Sequence, residues 1–252
     1  MEIEGLVAIV TGGAEGIGRA IVERLVEGQA QGVAILDIND VKGRETVAAL
    51  REKYSCGADR LVFIHCDVSR KEDLESAFAQ VKSKFGRLNV VCNNAGIQDE
   101  IEWESTVDVN LKGVIRGTYL GVQYMGTKNG GEGGIVINTS SVNGYTVNSV
   151  LPIYGATKHA VIAFTRNVAE ESMFLENNVQ VAAICPGKVD TEIQNKVSCR
   201  YPDKFQQMND EIDYVPLSSI TDVVVKLMKH AGNMNGVVCA VLPDDPMKLV
   251  DL

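Results

Sequence analysis

The sequence predicts an α/β chain built on a doubly wound parallel β-sheet with helices on both faces. Three observations carry that prediction. Short β-rich apolar runs alternate with helical patterns along the chain. The first run enters a glycine-rich turn that opens a helix, and the second ends on an acidic residue about twenty residues after the glycines.

The first run, at 6–10, is apolar enough to be a strand buried on both faces. It passes into Thr11-Gly12-Gly13-Ala14-Glu15-Gly16-Ile17-Gly18 and then a helical pattern over 19–27, with Ile21, Leu25 and Val26 inward. Glycines let the backbone turn tightly and approach a pyrophosphate, while the helix N-terminus offers free N–H groups and a positive dipole end. The spacing is T-G-x-x-x-G-x-G rather than G-x-G-x-x-G. The strand at 33–36 ends at Asp37, whose carboxylate can accept both adenosine-ribose hydroxyls and would repel a 2′-phosphate. Ile38 beside it is not basic, and Glu15 in the glycine turn adds to the repulsion. The cofactor these residues predict is NAD rather than NADP. A turn or capping aspartate is the plainer account of Asp37, but the spacing favours the ribose.

The alternation continues. A helix over 41–53 leads to a strand at 61–65 and then Cys66-Asp67-Val68 at the strand's carboxyl end. A helix over 71–85, with Leu74, Ala77, Phe78 and Val81 inward, precedes a strand at 88–92 that runs into Asn93-Asn94-Ala95-Gly96. A long helix over about 103–127 carries Asn110 and is loosened by Gly113, Gly117 and Gly121. The strand at 135–139 delivers Ser140 and Ser141, and Pro152 closes the loop before a helix over 154–174. A strand at 179–185 ends at Pro186-Gly187, and the polar stretch 188–216 reads as an irregular excursion over the top of the sheet. A helix over 219–231, a strand at 237–242 and a short tail complete the chain. Without a linker, composition break or tandem repeat, residues 1–252 read as one domain.

The chemistry points to Tyr154 and Lys158. Four residues apart, they share one helix face. An ammonium that close favours the tyrosinate and lowers the phenol from its usual pKa of about 10. Such a tyrosine can take a proton from a hydroxyl or return one to a carbonyl. Ser141, thirteen residues upstream, can orient the reacting oxygen. Alone, Tyr-x-x-x-Lys is equally an exposed helix pair.

Composition narrows the function. Apolar residues at 45% and charged residues at 23% exclude disorder. A net charge of −9 argues against a nucleic-acid partner, which would want a basic face. No run approaches the roughly twenty apolar residues of a membrane span, and the acidic N-terminus is unlike a signal peptide. Six cysteines lack a C-x-x-C pair, and the three histidines are far apart, so no metal-ligand spacing occurs. A reduced, cytoplasmic, metal-free protein is expected.

Taken together, Thr11–Gly18, the N-N-A-G at 93–96, Asn110, Ser141, Tyr154-x-x-x-Lys158 and Pro186-Gly187 resemble the short-chain dehydrogenase/reductase family over nearly the whole chain. The segments 117–121 and 129–134, the Ser141-to-Tyr154 interval and Ile184-Cys185-Pro186-Gly187 are most similar to its 15-hydroxyprostaglandin dehydrogenase branch. An insect-type small-alcohol or terpenoid-alcohol dehydrogenase is the alternative within enzymes, and a non-catalytic NAD-binding sensor or structural protein the alternative outside them. The resemblance implies a single Rossmann domain and oxidation of a secondary alcohol, apolar or lipid-like, to a ketone. It places the pyrophosphate on Gly12, Gly13, Ala14, Glu15, Gly16, Ile17 and Gly18, the adenosine ribose on Asp37 and Ile38, and the adenine beside Cys66, Asp67 and Val68. Asn94 would lie against the cofactor and brace the sheet, and the Val189 backbone would meet the nicotinamide carboxamide. Tyr154 would accept the hydroxyl proton, Lys158 would lower its pKa and hold the nicotinamide ribose, and Ser141 would bind the reacting oxygen. Asn110 would anchor a water leading from Lys158 to solvent. A homodimer is implied through the helices at 103–127 and 154–174, where Gly113, Gly117, Gly121, Ala156, Ala160 and Ala163 would allow close packing.

Departures from that branch fall on the substrate side. Leu151 stands where those enzymes carry a glutamine that meets substrate, Lys188 stands where a phenylalanine is expected, and the segment 188–216 differs in composition. Of the remaining candidates, Trp103 is expected to be a packing anchor, His65 to be structural, and His159 to face away from the cleft. Tyr145 and Tyr201 are candidate pocket-lining residues; Lys196, Arg200 and Lys204 are read as part of a solvated mixed-charge loop.

Overall fold

Alternate residues of the central strands are buried in opposite cores, as the period of two requires. In β1 (Val7–Thr11), Ala8 and Val10 face one hydrophobic core while Val7 and Ile9 face the other. The first core also takes Ile21, Val22 and Leu25 from α1 (Gly16–Glu27), Val47 and Leu50 from α2 (Asp40–Tyr54), and Ile220, Val223, Val224 and Leu227 from α10 (Leu217–Lys229). The second takes Leu74, Phe78 and Val81 from α3 (Lys71–Phe85) and Leu120, Val122 and Met125 from α5 (Val114–Met125). Burying a side chain of this size contributes about 1.5–3 kcal/mol, so a strand slipped by one residue would expose both sets.

The computed structural model describes residues 1–230 and 234–250. The remaining strands are β2 (Gly32–Asp37), β3 (Leu61–His65), β4 (Val90–Asn93), β5 (Gly134–Thr139), β6 (Val179–Pro186), β7 (Val238–Val241) and β8 (Lys248–Leu249). The sheet runs β3-β2-β1-β4-β5-β6-β7-β8. All pairs are parallel except the last, in which Ala240 faces Lys248. The expected short tail therefore supplies an antiparallel edge strand. Strand order reverses between β1 and β4, and a sheet of this kind binds ligands outside the carboxyl ends of its strands at that point.

Three expectations change in detail. The long helix at 103–127 is α4 (Trp103–Val107), a π-helical segment Asp108–Gly113, and α5. The helix expected from 154 starts two residues earlier, as α6 (Pro152–Ala169), because proline is preorganised for a first helical position; a short α7 (Ser172–Leu175) follows it. The stretch 188–216 holds α8 (Glu192–Asn195) and α9 (Pro202–Asp210), whose polar composition hid them. The expected end of the last helix at Ala231 lies outside the described residues.

The glycines of the long helix are internal. A Cβ on Gly117 would stand 2.1 Å from Asn93 Oδ1, and one on Gly121 2.8 Å from Val136, so these residues seat α5 on β4 and β5. Gly113 is likewise against Val68. They are not available as a dimer seam, whereas Ala156 and Ala163 of α6 are exposed. A buried polar network ties the same helices to the sheet. Asn93 donates to Asn138 at 2.9 Å and Thr118 at 3.1 Å, and Asn138 donates to Thr165 at 3.0 Å.

Candidate active site

The cofactor end is built by backbone constraint. Gly12 and Gly16 have φ of +62° and +55°, which side-chain-bearing residues rarely adopt. A Cβ on Gly18 would collide with Gly12 O at 2.1 Å, and one on Gly12 would sit 2.9 Å from Ala95 Cα. Asn94 braces this turn from β4: its side-chain amide donates to Thr11 O at 3.1 Å and Gly12 O at 3.3 Å, and its N–H to Thr11 Oγ1 at 2.9 Å. The turn thus keeps an open path along the N-terminus of α1, a shape that fits a pyrophosphate. Asp37, at the end of β2, accepts from Ala14 N at 3.1 Å and Asn39 N at 2.9 Å, and a carboxylate has lone pairs left for a ribose. Asp67 Oδ1 accepts from Ser69 N and Oγ, and Cys66 is buried, its thiol pushed up to about 12 by burial and by Asp73, Asp67 and Asp37.

One cleft of 1190 Å³ joins this end to the catalytic candidates. It is lined by Gly12, Glu15, Gly16, Ile17, Asp37, Ile38, Cys66, Asp67, Val68, Asn94, Ser141, Leu151, Tyr154, Lys158 and Val189. Gly13, Ala14 and Gly18 lie behind its wall, where they shape the turn rather than line the surface. Glu15 and Lys196 pair across the mouth at 3.5 Å.

Tyr154 and Lys158 are both buried on the inward face of α6. Lys158 Nζ donates to Thr139 O at 2.8 Å and stands 5.5 Å from the Tyr154 ring centre. Burial pulls Lys158 down to about 8. Burial also pushes the Tyr154 phenol up, and hydrogen bonds with Gln98 and Ser141 only partly offset this. The expected lowering of the tyrosine by the lysine is not among the causes of its shift in the chain alone, where removal from water disfavours the charged form of each. Ser141 Oγ accepts from Asn143 N at 3.2 Å, which leaves its hydroxyl proton available to a second partner.

Asn110 is fully buried and does not line the cleft. Its amide holds both backbone groups of Ile97, accepting at 2.9 Å and donating at 2.9 Å. It sits in the π-helical segment, a distortion that leaves main-chain groups outside the α-helical ladder and recurs at functional sites. Tyr145 and Leu151 line the cleft, whereas Tyr201, Arg200 and Lys204 do not. His159 is outside the cleft, its Nδ1 at 2.9 Å from Gly155 O, and His65 pairs with Asp40 at the surface. Trp103 is 43% exposed and is not the packing anchor expected of it.

Two site residues have no counterpart in the sequence reading. Gln98 reaches the Tyr154 hydroxyl, and Glu100, buried, accepts from Ile153 N at 2.9 Å and Tyr154 N at 2.8 Å, capping α6 from the loop after β4. Nothing in the spacing pairs a glutamate with a helix start 53 residues away; only the N–H groups that α6 must satisfy signal that some acceptor is needed.

A parallel sheet of this order with Ser, Tyr and Lys gathered at its carboxyl edge defines a class. Residues 6–201 match the short chain dehydrogenase family model, and the chain belongs to that family. It is an oxidoreductase. It is 42% identical to 15-hydroxyprostaglandin dehydrogenase [NAD(+)] of Homo sapiens over 92% of this chain and 82% of that protein. It is 36% identical to 3beta-hydroxysteroid dehydrogenase 2 of Eggerthella lenta over 76% of this chain and 74% of that protein. Among solved structures, levodione reductase superposes with a TM-score of 0.82 at 26% identity, covering 95% of this chain and 97% of that one.

Proposed function

We propose that the chain, folded as one domain, oxidises a secondary alcohol to a ketone with NAD. The observation that carries this is the burial of Tyr154, Lys158 and Ser141 together in a cleft whose other end is the glycine turn and Asp37. A nicotinamide bound there supplies the hydride acceptor. The protein's part is the proton. Tyr154 Oη takes it from the substrate hydroxyl, Ser141 Oγ donates to the oxygen as it becomes a carbonyl, and Lys158, cationic below about 8, stabilises the tyrosinate. Asn110 and the π-helical segment hold the Ile97 backbone beside this centre and would anchor a water on the route from Lys158 to solvent. Gly12 to Gly18 would receive the pyrophosphate, Asp37 and Ile38 the ribose, Cys66, Asp67 and Val68 the adenine, and Val189 the carboxamide.

Asp37 at the end of β2, followed by the uncharged Ile38 in the cleft lining, supports NAD over NADP. On the substrate side, Leu151, Tyr145, Phe205, Met208, Ile212 and Leu242 give an apolar wall, so the substrate is apolar. The relation to the 15-hydroxyprostaglandin enzymes supports a lipid-like secondary alcohol. Six free cysteines support a reducing, cytoplasmic setting, and the outer face of α6 at Ala156, Ala160 and Ala163 supports a homodimer.

The test is NADH formation during incubation with a panel of apolar secondary alcohols, for the wild type and Tyr154→Phe. Turnover by the wild type, lost in the variant while NADH binding persists, is expected. Tight NAD binding with no turnover of any alcohol or ketone would instead assign a sensor.

A further inference from the structure

Helix α9 is held over the cleft by little apolar burial. None of its nine residues is buried, and Phe205 and Met208 line the cleft without entering any of the hydrophobic cores. A segment with so few buried contacts takes its position from its tethers. Before α9 the tether is Ser198, whose N–H donates to Gln98 O at 3.0 Å and whose carbonyl accepts from Glu100 N at 2.7 Å. After α9 it is Lys188.

Lys188 stands on a fixed base. Gly187 N donates to Val241 O at 3.0 Å at the end of the sheet, and Val215, packed in the first core, donates its N–H to Lys188 O at 2.7 Å. From that base the side chain crosses to the far end of α9. Its ammonium donates to Asn209 O in the last turn of the helix and to Ile212 O just beyond it at 3.1 Å, and lies 3.9 Å from the centre of the Tyr214 ring. A helix end leaves such carbonyls unmatched, and its dipole is negative there, so a cation is favourable. The ring face adds a cation–π contact.

We propose that Lys188 is a positioning residue for the substrate: by latching the end of α9 to the sheet it sets the apolar wall that Phe205, Met208 and Ile212 present to the substrate chain. This rests on the cleft taking an apolar secondary alcohol. The latch acts on the wall rather than on the proton transfer, so its loss is read in KM more than in kcat.

The test is steady-state oxidation of 2-butanol and 2-decanol by the full-length protein and Lys188→Met, with hydrogen exchange of α9 followed in both. Methionine keeps the stem and makes the cleft lining more apolar, so direct contact alone would lower KM for the long alcohol. The latch predicts the opposite sign. KM for 2-decanol should rise about tenfold, as the fraction of chains with α9 correctly seated falls to about one-tenth. The kcat, and KM for 2-butanol, should change by less than about twofold. Exchange in α9 should accelerate about tenfold while that in α6 stays unchanged. Tyr214→Leu, at an exposed residue, should move both readouts the same way by a smaller factor and serves if Lys188→Met fails to fold. Combined with Lys188→Met its effect should be less than additive, because both variants open one latch. An unchanged or lowered KM for 2-decanol, an equal rise for 2-butanol, or wild-type exchange in α9 would each overturn the proposal. If the wild type oxidises no secondary alcohol, the functional reading fails instead, and the exchange rate alone decides the latch.

Discussion

Lys158 should destabilise the fold that uses it. Its ammonium is buried with one hydrogen-bond acceptor in contact, Thr139 O, and no carboxylate among the groups that set its pKa. Burial lowers that pKa from 10.5 to about 8. At 1.36 kcal/mol per unit, the charge opposes folding by about 3 kcal/mol. The sign follows from proton counting. Between about 8 and 10.5 the unfolded lysine is protonated and the folded one is not, so this contribution to stability rises with pH across that window. Below 8 the penalty is complete. Lys158→Met removes it but orphans the Thr139 carbonyl, so the informative quantity is the slope of the difference, not its offset. In urea unfolding of the cofactor-free proteins at several pH values, the stability of the variant relative to wild type should fall by about 3 kcal/mol from pH 7.5 to 10.5. The buried thiols of Cys66 and Cys92, pushed up to about 12, reduce stability at high pH in both proteins and cancel in the comparison; Cys185 is coupled to Lys158 itself, so the two proteins are compared in a Cys185→Ala background. A difference that stays flat with pH would refute a charge-bearing, desolvated Lys158.

Three further outcomes are expected. Asp37→Ser should reduce the kcat/KM preference for NAD over NADP by roughly tenfold or more, the equivalent of one hydrogen bond to a charged group, read from initial rates with each cofactor. Glu100→Ala leaves the Ile153 and Tyr154 N–H groups without their acceptor and should lower stability by about 2 kcal/mol in denaturant titration; full retention would mean that water caps α6 equally well. A hydroxy fatty acid should be a poorer substrate than its methyl ester, because Glu211, Asp213 and Asp244 line the mouth while Lys188 is engaged by the Asn209 and Ile212 carbonyls and the Tyr214 ring. Equal kcat/KM for acid and ester would place the substrate tail elsewhere.

Sequence and structure agree where the constraint is local. The glycine turn is legible because its conformation restricts residue type directly: positive φ at Gly12 and Gly16 and contact at Gly18 each leave a mark in the chain. Strands were found to within a few residues because alternate positions feed two different cores. Gly113, Gly117 and Gly121 were misassigned to a subunit face, since close packing of a helix on its own sheet and on another chain demand the same small residues. Gln98, Glu100 and the Asn93–Asn138–Thr118 network were invisible because their partners lie far along the chain. A hydrogen bond across such a distance imposes no spacing.

The tyrosine and lysine show what this division means for chemistry. Their separation of four residues makes them neighbours, but neighbours in water and neighbours in a desolvated wall behave differently. Burial drives both toward the neutral state, Tyr154 up and Lys158 down, so proximity alone does not generate a base. What restores the tyrosinate must come from donors and charge gathered around Oη from other elements: Ser141 after β5, Gln98 after β4, and the contents of the cleft itself. The motif therefore states which groups react, while the loops that converge on it decide the pH at which they do.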